Sequence, residues 1–522
     1  MKVVSTETMH SIEQRVFDDY GISPRVLMEV AGGQLAEVAR RLAADHPGPI
    51  VVICGKGNNG GDGLVAARWL HHWGLTVQAV AWFNPEDVTE DSPASEVLHA
   101  ARLAGVPILM PAQAPNAARK AAFIIDALFG TGWHGSIKGL AAEAIKMMNN
   151  CSKPVLAVDL PSGVDPNTGQ VDGIAVEAEW TATFGLPKLG LFQFPGVDLA
   201  GEMIVVDIGL PASAIAAETI SVELTRAAQV AEWLPQYGRN AHKGTRGRIL
   251  VAAASRGMTG AAALAGEAAL RVGAGLVTVA APLNSQPVVA GIRPEFMTLP
   301  FAENAEGGFA AEAAGPFLER AAKMNAIAVG PGIGTDPEAA EFVRQVVTKS
   351  TVPLVLDADA LKAFKGHPEL LAEVEAPIVL TPHPGEMAQF LGVPIEAVEK
   401  DRFGAAREAA KRSGAVVLLK GAFTLIAEPS GQIWINPTGS RALGTGGSGD
   451  VLTGVIAGLL AQGLAPTEAA VVGAYLHGLA GDRLSVEFGD DGILAGDLAL
   501  ELPKAQKAVR EGIPDRWEEF WG

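Results

Sequence analysis

The chain has 522 residues, 48% of them apolar and 19% charged, enough for on the order of two to four cored domains and against wholesale disorder. With 58 acidic against 40 basic residues the net charge is −18, which excludes the broad electrostatic footprint of a nucleic-acid or anionic-membrane binder. Cys54 and Cys151 alone exclude a disulfide framework and a cysteine-based metal centre; with no apolar leader and no run long enough to span a bilayer, a cytoplasmic protein is expected.

In chain order, helices are expected over 6–19 and 24–43, then a buried parallel strand at Ile50-Val51-Val52-Ile53-Cys54. A glycine loop, 55–63, leads into a helix over 64–73 and a strand over 76–82. Further strands are read at 123–125, 155–158, 181–184 and 203–206. Apolar runs alternating with helices predict an α/β fold with an open parallel sheet covered on both faces, a Rossmann-like three-layer sandwich. The pattern pauses between about 210 and 247, with a helix over 225–234. It restarts with strands at 249–253, 276–280, 326–329, 354–356, 378–380, 416–419 and 424–427. A boundary near residue 222 therefore divides the chain into 1–222 and 223–522.

Gly55-Lys56-Gly57-Asn58-Asn59-Gly60 matches the G-x-G-x-x-G of a dinucleotide phosphate loop. The acidic residue that would hold a ribose about 20 residues further on is missing, and no Walker-type lysine is followed by Ser or Thr. The loop instead offers Asn58, Asn59 and Asp62 among glycines: backbone N–H groups for an anion, amide and carboxylate oxygens for a cation. Two more strands end in carboxylates, Asp126 and Asp159. Loop aspartates commonly cap helices or turns, but three strand ends of one parallel sheet converge at its carboxyl edge and favour a site.

The segments GKGNNGGDG, DALFGTG and DLPSGVD, in that order, resemble the NAD(P)H-hydrate epimerase domain. That family has a Rossmann-like sheet and acts on NADHX and NADPHX, the C6-hydroxylated products of water adding to reduced nicotinamide. The resemblance implies hydrate contacts from Asn58, Asn59, Gly60, Gly61 and Asp62, from the loop Gly130, Thr131, Gly132, Trp133, His134, Gly135 and Ser136, and from Asp159. It also implies a potassium ion on Asn59, Asp126 and Ser162, a donor set suited to a weakly held monovalent cation. Asp159 is then the candidate for proton transfer. The loop departs from the family at His134, where a longer basic side chain is usual, and at Ser136, where Pro is usual; His134 is either a titrating catalytic group or a loop-packing residue.

In the second half, Gly444-Thr445-Gly446-Gly447-Ser448-Gly449-Asp450 runs into an apolar helix over 451–460. Successive N–H groups at a helix start make an anion hollow, and Asp450 beside it can accept a proton from a substrate hydroxyl. An isolated Asp there would be a plain cap; four glycines in the six residues before it exceed what a cap requires. His383 stands between Pro382 and Pro384, Lys420-Gly421 follows a strand, and Gly330-Pro331-Gly332-Ile333-Gly334 follows another. Together with HKGTRG, MTGAA, TPHPGE, KGAFT and NPTG, these resemble the ADP/ATP-dependent NAD(P)H-hydrate dehydratase, a ribokinase-like α/β domain. The resemblance implies a hydrate site of Ala262, Gly332, His383 and Asp450, and an ADP site of Lys420, Gly421, Ala422, Phe423, Thr424 and Gly449, with Mg²⁺ accompanying the nucleotide. Ser440-Arg441 departs from the small or Pro residues usual there.

The expected function is repair of hydrated coenzyme: the first half interconverts R and S hydrates, and the second dehydrates S at the expense of ADP. A homo-oligomer is expected by analogy with the family. Two other readings stay open on the residues alone. One is a small-molecule kinase with a regulatory first half; the other makes the first half a binding module without turnover.

Overall fold

The computed structural model describes residues 1–83, 93–133 and 135–513, so His134 lies outside the described residues. The chain forms two compact units, one of Lys2–Ile220 and one of residues 221–513 together with Met1.

The first unit is built on strands β1 (Ile50–Cys54), β2 (Val77–Ala81), β3 (Ile108–Leu109), β4 (Phe123–Ala127), β5 (Val155–Val158), β6 (Trp180–Phe184) and β7 (Glu202–Val206). They form one sheet in the order β3-β2-β1-β4-β5-β6-β7, with every pairing parallel. Alternation along β1 explains why five apolar residues in a row are needed. Ile50, Val52 and Cys54 enter one core with the helices Thr6–Tyr20, Pro24–Asp45 and Asn58–His72. Val51 and Ile53 enter a second core on the opposite face, with the helix Gly139–Asn150. The order reverses between β1 and β4, which opens a crevice at their carboxyl ends.

The second unit carries β8 (Val222–Leu224), β9 (Arg248–Ala252), β10 (Leu276–Pro282), β11 (Met297–Phe301), β12 (Ala326–Val329), β13 (Leu354–Leu356), β14 (Ile378–Leu380), β15 (Val416–Leu419), β16 (Leu425–Ala427) and β17 (Ile433–Ile435). Their order is β11-β10-β9-β12-β13-β14-β15-β16-β17-β8. The sheet is parallel except where β16 runs antiparallel to both β15 and β17. Ile249 and Val251 point into a core shared with the helices Thr259–Arg271, Ser448–Ala461 and Pro466–Phe488, while Leu250 and Ala252 are buried on the other face.

The architecture agrees with the α/β reading, and the differences have physical causes. Strands β3, β8, β11 and β17 escaped the sequence reading. Two have only two or three residues at or near a sheet edge, β11 is an edge strand with Pro300 in it, and β17 is a three-residue inner strand. The first glycine stretch is not an open loop: residues 58–63 are already the first turns of the helix Asn58–His72. Likewise the second glycine stretch becomes helical at Ser448, so Asp450 stands in the first turn. Asp126 lies inside β4, between Ile53 of β1 and Ala157 of β5, rather than after the strand.

Candidate functional sites

The first site is assembled where three backbones meet at the switch point. A Cβ on Gly60 would lie 1.8 Å from the Gly55 carbonyl oxygen, and one on Gly55 would lie 2.1 Å from that of Leu128. Glycine is required here for close approach, and the contact draws Asn59 and Asp62 into the protein, where both are buried. A Cβ on Gly130 would come 3.1 Å from Asn59 Oδ1, so the 130–136 loop begins against that amide. Phe129 donates its N–H to Ser162 Oγ at 3.0 Å. Ser162 in turn donates from Oγ to Asp126 Oδ1 and from its backbone N–H to Oδ2, both at 2.8 Å. Asn59, Asp126 and Ser162 are thereby brought to one locality.

Two features of that locality suit a monovalent cation. Among the described residues the Asn59 amide nitrogen is buried without a partner, a situation that costs roughly 1–3 kcal/mol; turning the amide presents its oxygen instead. Asp126 is fully buried, and burial pushes its carboxyl up to about 6 against the opposing bonds from Ser162 and Leu128. A carboxylate, a hydroxyl and an amide form a hard oxygen set that fits potassium.

Asp159 follows β5 with φ +67°, a left-handed conformation that costs a non-glycine residue roughly 1–3 kcal/mol. Its Oδ1 accepts from Lys188 Nζ at 2.5 Å, Phe184 N–H at 3.1 Å and Thr183 Oγ at 3.4 Å. Lys188 is 1% exposed and also donates to the Phe184 carbonyl at 2.8 Å. Burial, reinforced by the charges of Asp159 and Glu13, drives the Asp62 carboxyl well above the ordinary carboxylate range. Glu13 is raised by burial and by Asp159, and lowered by Lys188 and His10. In the 130–136 loop Trp133 stacks on Phe129 at 4.4 Å and donates to the Gly135 carbonyl at 3.1 Å, an aromatic shelf beside the crevice.

The second site gathers the carboxyl ends of β12 to β15. Backbone strain marks it: among the described residues, Ala254, Ala358 and Phe423 take positive φ, each just beyond a strand end of this sheet. Gly332, φ +61°, lies against the start of the helix Thr259–Arg271, where a Cβ would come 2.9 Å from Met258 Cβ and 3.3 Å from Ala261 Cβ, beside Ala262. His383 caps the helix Pro384–Leu391, its Nδ1 accepting from Gly385 N–H at 3.0 Å while Nε2 stands 3.5 Å from Glu386. Lys420 Nζ sits 2.8 Å from Asp357 Oδ1 and 3.7 Å from Glu386 Oε2. A Cβ on Gly449 would come 3.4 Å from that ammonium. Lys420 and Gly449 are thus neighbours, Asp450 lies within reach of the Lys420 charge, and His383 is linked to them through Glu386.

The charges order these groups. Burial works against the Lys420 ammonium, yet the charges of Asp357, Glu386 and Asp450 and the bond to Asp357 hold it above the ordinary lysine value. Asp450 is pushed up to about 6, first by burial and then by Asp357, with Lys420 opposing. That range suits a general base working near neutrality.

The sequence reading missed four residues of these sites. Lys188 carried no motif. Asp357 is 1% exposed and accepts from Thr381 Oγ1, Thr453 Oγ1 and Lys420, all at 2.8 Å, so it anchors the ammonium. Arg402 donates to the Ala422 carbonyl at 2.7 Å and more weakly to those of Leu419 and Lys420, holding the 420–424 loop; burial lowers its guanidinium to about 10. His477 lies under the glycine hollow, 3.2 Å from Ser448 Oγ, with its imidazole lowered to about 4 by burial. A run of small and apolar residues around a lone polar side chain, as at Leu476-His477-Gly478, was the only available signal.

Comparison with known proteins bears on both units. Residues 249–504 match a family described as NAD(P)H-hydrate dehydratase, and residues 24–190 match one described as YjeF-related protein N-terminus. The bifunctional NAD(P)H-hydrate repair enzyme of Moorella thermoacetica is 41% identical, over 98% of each chain. That of Escherichia coli is 33% identical, over 97% of this chain and 93% of its own. Among solved structures, the ADP/ATP-dependent NAD(P)H-hydrate dehydratase of Bacillus subtilis, co-crystallised with ATP/Mg²⁺, is 35% identical. It covers 56% of this chain and 100% of its own, with a TM-score of 0.49. On the full-length similarity to the Moorella and Escherichia proteins, this chain belongs to the family of bifunctional NAD(P)H-hydrate repair enzymes.

Proposed function

We propose that the part up to about residue 222 epimerises R- and S-NAD(P)HX at the site of Asp159, and that the remainder dehydrates the S form with ADP at the site of Asp450. The observation that carries this reading is the pairing of each aspartate with a distinct ligand environment. One lies in a crevice with an oxygen-lined cation locality, the other at a helix start beside a lysine.

In the first site Asp159 takes the proton of the C6 hydroxyl as the C6–N1 bond opens, its electron pair passing to N1 and leaving a C6 carbonyl. Closure on the other face returns the proton and inverts the centre. Residues 58–62 and 130–136 hold the hydrate, with the Asp62 carboxyl among them raised by burial and by the charges of Asp159 and Glu13. Asn59, Asp126 and Ser162 would hold potassium, which supplies the charge that a buried Asp126 lacks.

In the second site Ala262, Gly332, His383 and Asp450 hold the hydrate, and residues 420–424 with Gly449 hold the nucleotide. Asp450 takes the C6 hydroxyl proton as that oxygen attacks the terminal phosphorus of ADP, releasing AMP. Phosphate then leaves C6 with its bonding pair, a proton leaves C5, and the double bond returns. The glycine N–H groups stabilise the charge on the transferring group, with Mg²⁺ entering on the nucleotide phosphates. Oxidation state is unchanged throughout. The setting is cytoplasmic, supported by two free thiols in the chain, Cys54 and Cys151. Assembly as a homo-oligomer is supported by exposed Leu283, Val288 and Met297 on and beside edge strand β11, and mass measurement in solution tests it.

The deciding experiment incubates the protein with an R/S NADHX mixture, comparing ADP with ATP and K⁺ with Na⁺. Full recovery of reduced-nicotinamide absorbance with AMP formation is expected with ADP, faster in K⁺ than in Na⁺. Accumulation of a stable phosphorylated product without that absorbance sinks the reading in favour of a kinase.

A further inference from the structure

Lys188 is a buried ammonium, 1% exposed. A cation withdrawn from water is tolerated only where charge and hydrogen bonds replace its hydration. Here the replacements are Asp159 Oδ1 at 2.5 Å, the Phe184 carbonyl at 2.8 Å and Thr183 Oγ1 at 3.5 Å. Its backbone is fixed as well. Pro187 accepts from the Val4 N–H at 3.0 Å and Leu189 donates to the Val4 carbonyl at 3.1 Å, so the lysine is stitched to the segment before the first helix.

The donors reaching Asp159 are unevenly distributed. Lys188 Nζ, Phe184 N–H and Thr183 Oγ1 all approach Oδ1; among the described residues none approaches Oδ2. A carboxylate bound on one oxygen by a cation and two neutral donors has its rotation fixed and its free lone pairs confined to the other oxygen. Near it stand the acidic Asp62 and Glu13, and His10 lies near Glu13. Lys188 is the cation in direct contact with the Asp159 carboxylate.

We propose that Lys188 is the positioning residue of the first site: by clamping Oδ1 of Asp159 it leaves Oδ2 as the oxygen that exchanges the proton with the C6 centre of the hydrate. The inference rests on the reading of Asp159 as the proton acceptor. Lys188 itself does not touch the reacting atoms and moves no proton.

The test uses the full chain with R-NADHX, ADP and K⁺, following R-hydrate consumption above the spontaneous rate, with Lys188→Met, Lys188→Arg and Asp159→Asn. Lys188→Met is expected to lose on the order of 10²-fold in epimerase kcat with KM little changed. Lys188→Arg is expected to recover to within about tenfold of the parent in kcat, since a guanidinium can also clamp one oxygen. Wild-type turnover in Lys188→Met, or a loss confined to KM, overturns the proposal. If Lys188→Met does not fold, Lys188→Arg decides. Folded and active with the parental KM it supports the clamp; folded and about as slow as the spontaneous reaction it overturns it. Asp159→Asn separates the two levels. A dead Asp159→Asn beside a normal Lys188→Met removes only the role of Lys188, whereas a normal Asp159→Asn removes the reading beneath it.

Discussion

Both units set an aspartate at the carboxyl edge of a parallel sheet and put a lysine near it, but the lysine is spent differently. In the first unit Lys188 lies directly on Asp159 at 2.5 Å. In the second, Lys420 lies on Asp357 at 2.8 Å and leaves Asp450 outside the pair. An ammonium locked onto the base has its charge consumed by that base. One held by a neighbouring carboxylate keeps a face toward the glycine hollow, where a Cβ on Gly449 would come 3.4 Å from it. A site that only moves a proton can use the first arrangement. A site that must also receive a polyphosphate needs the second, because the ligand brings negative charge that the lysine has to meet. The cost falls on Asp450, which burial and Asp357 hold near 6 rather than in the ordinary carboxylate range.

The largest effect that breaks this comparison is removal of the base. Asp450→Asn is expected to lower dehydration of S-hydrate by roughly 10²–10⁴-fold, while R/S interconversion by the same chain stays within about twofold of the parent, an effect below half a kcal/mol. Chiral separation of the residual hydrates alongside AMP release measures both. Loss of both activities would sink the view that the two aspartates serve separate chemistries.

Next in size is a contrast between two glycines that look alike in sequence. A Cβ on Gly60 would overlap the Gly55 carbonyl oxygen at 1.8 Å, whereas one on Gly449 meets the tip of Lys420 at 3.4 Å and Asp357 Oδ2 at 3.7 Å, ordinary contact distances. Gly60→Ala is therefore expected to destabilise the first unit by roughly 2–3 kcal/mol and to remove epimerase activity. Gly449→Ala should leave the melting temperature of the second unit unchanged and raise KM for ADP, because the added methyl would stand beside the ammonium assigned to the phosphates in the proposed nucleotide site. Calorimetry and nucleotide titration of the two variants read the contrast, and a destabilised Gly449→Ala would show that both glycines serve packing.

How much of this was legible in the chain follows from the same residues. Asp126 and Asp159 drew attention because each ends or follows an apolar run with glycines close by, and Asp450 because a glycine stretch leads through it into an apolar helix; strand ends of a parallel sheet converge whatever the details. The helical state of 58–63 could not, since glycine and asparagine are poor helix formers and only the close approach of Gly55, Gly60 and Leu128 shows why the turn forms there. Lys188 was illegible for a different reason. Its partner lies 29 residues earlier, and a lysine next to Pro187 reads as solvated until the sheet places β5 beside β6. Asp357, Arg402 and His477 act through other side chains or loops, and such contacts have no sequence spacing of their own.

A smaller effect sharpens the electrostatic half of the comparison. In the proposed role Asp450 accepts the hydroxyl proton and must be ionised; with its carboxyl pushed up to about 6, dehydratase kcat/KM should fall about tenfold per pH unit below that value. Asp357→Asn removes a like charge from Asp450 but also frees Lys420 from its anchor; both changes lower the Asp450 value, so the acid limb should move to lower pH. An unmoved limb in Asp357→Asn would detach the limb from Asp450.

The smallest effect concerns stability and runs through His477. Its imidazole is buried beside Ser448 and lowered to about 4 against an ordinary 6.5, so the folded chain binds this proton less readily than the unfolded chain. A base with a depressed folded value contributes stability that is complete above about 6.5 and is lost as pH falls from there toward about 4. Asp450 has the opposite sign: a carboxyl raised to about 6 binds its proton more readily when folded, so its contribution grows as pH falls from about 6 toward the ordinary value of 3.8. The two partly cancel in the parent. Asp450→Asn should therefore steepen the acid loss of melting temperature in the second unit, and His477→Gln should flatten it. Thermal melts of the full chain at a few pH values between about 4 and 7 follow the two slopes. Equal slopes in the parent and both variants would show that neither group differs in proton affinity between the folded and unfolded chain, and would remove the acid limb's structural cause along with it.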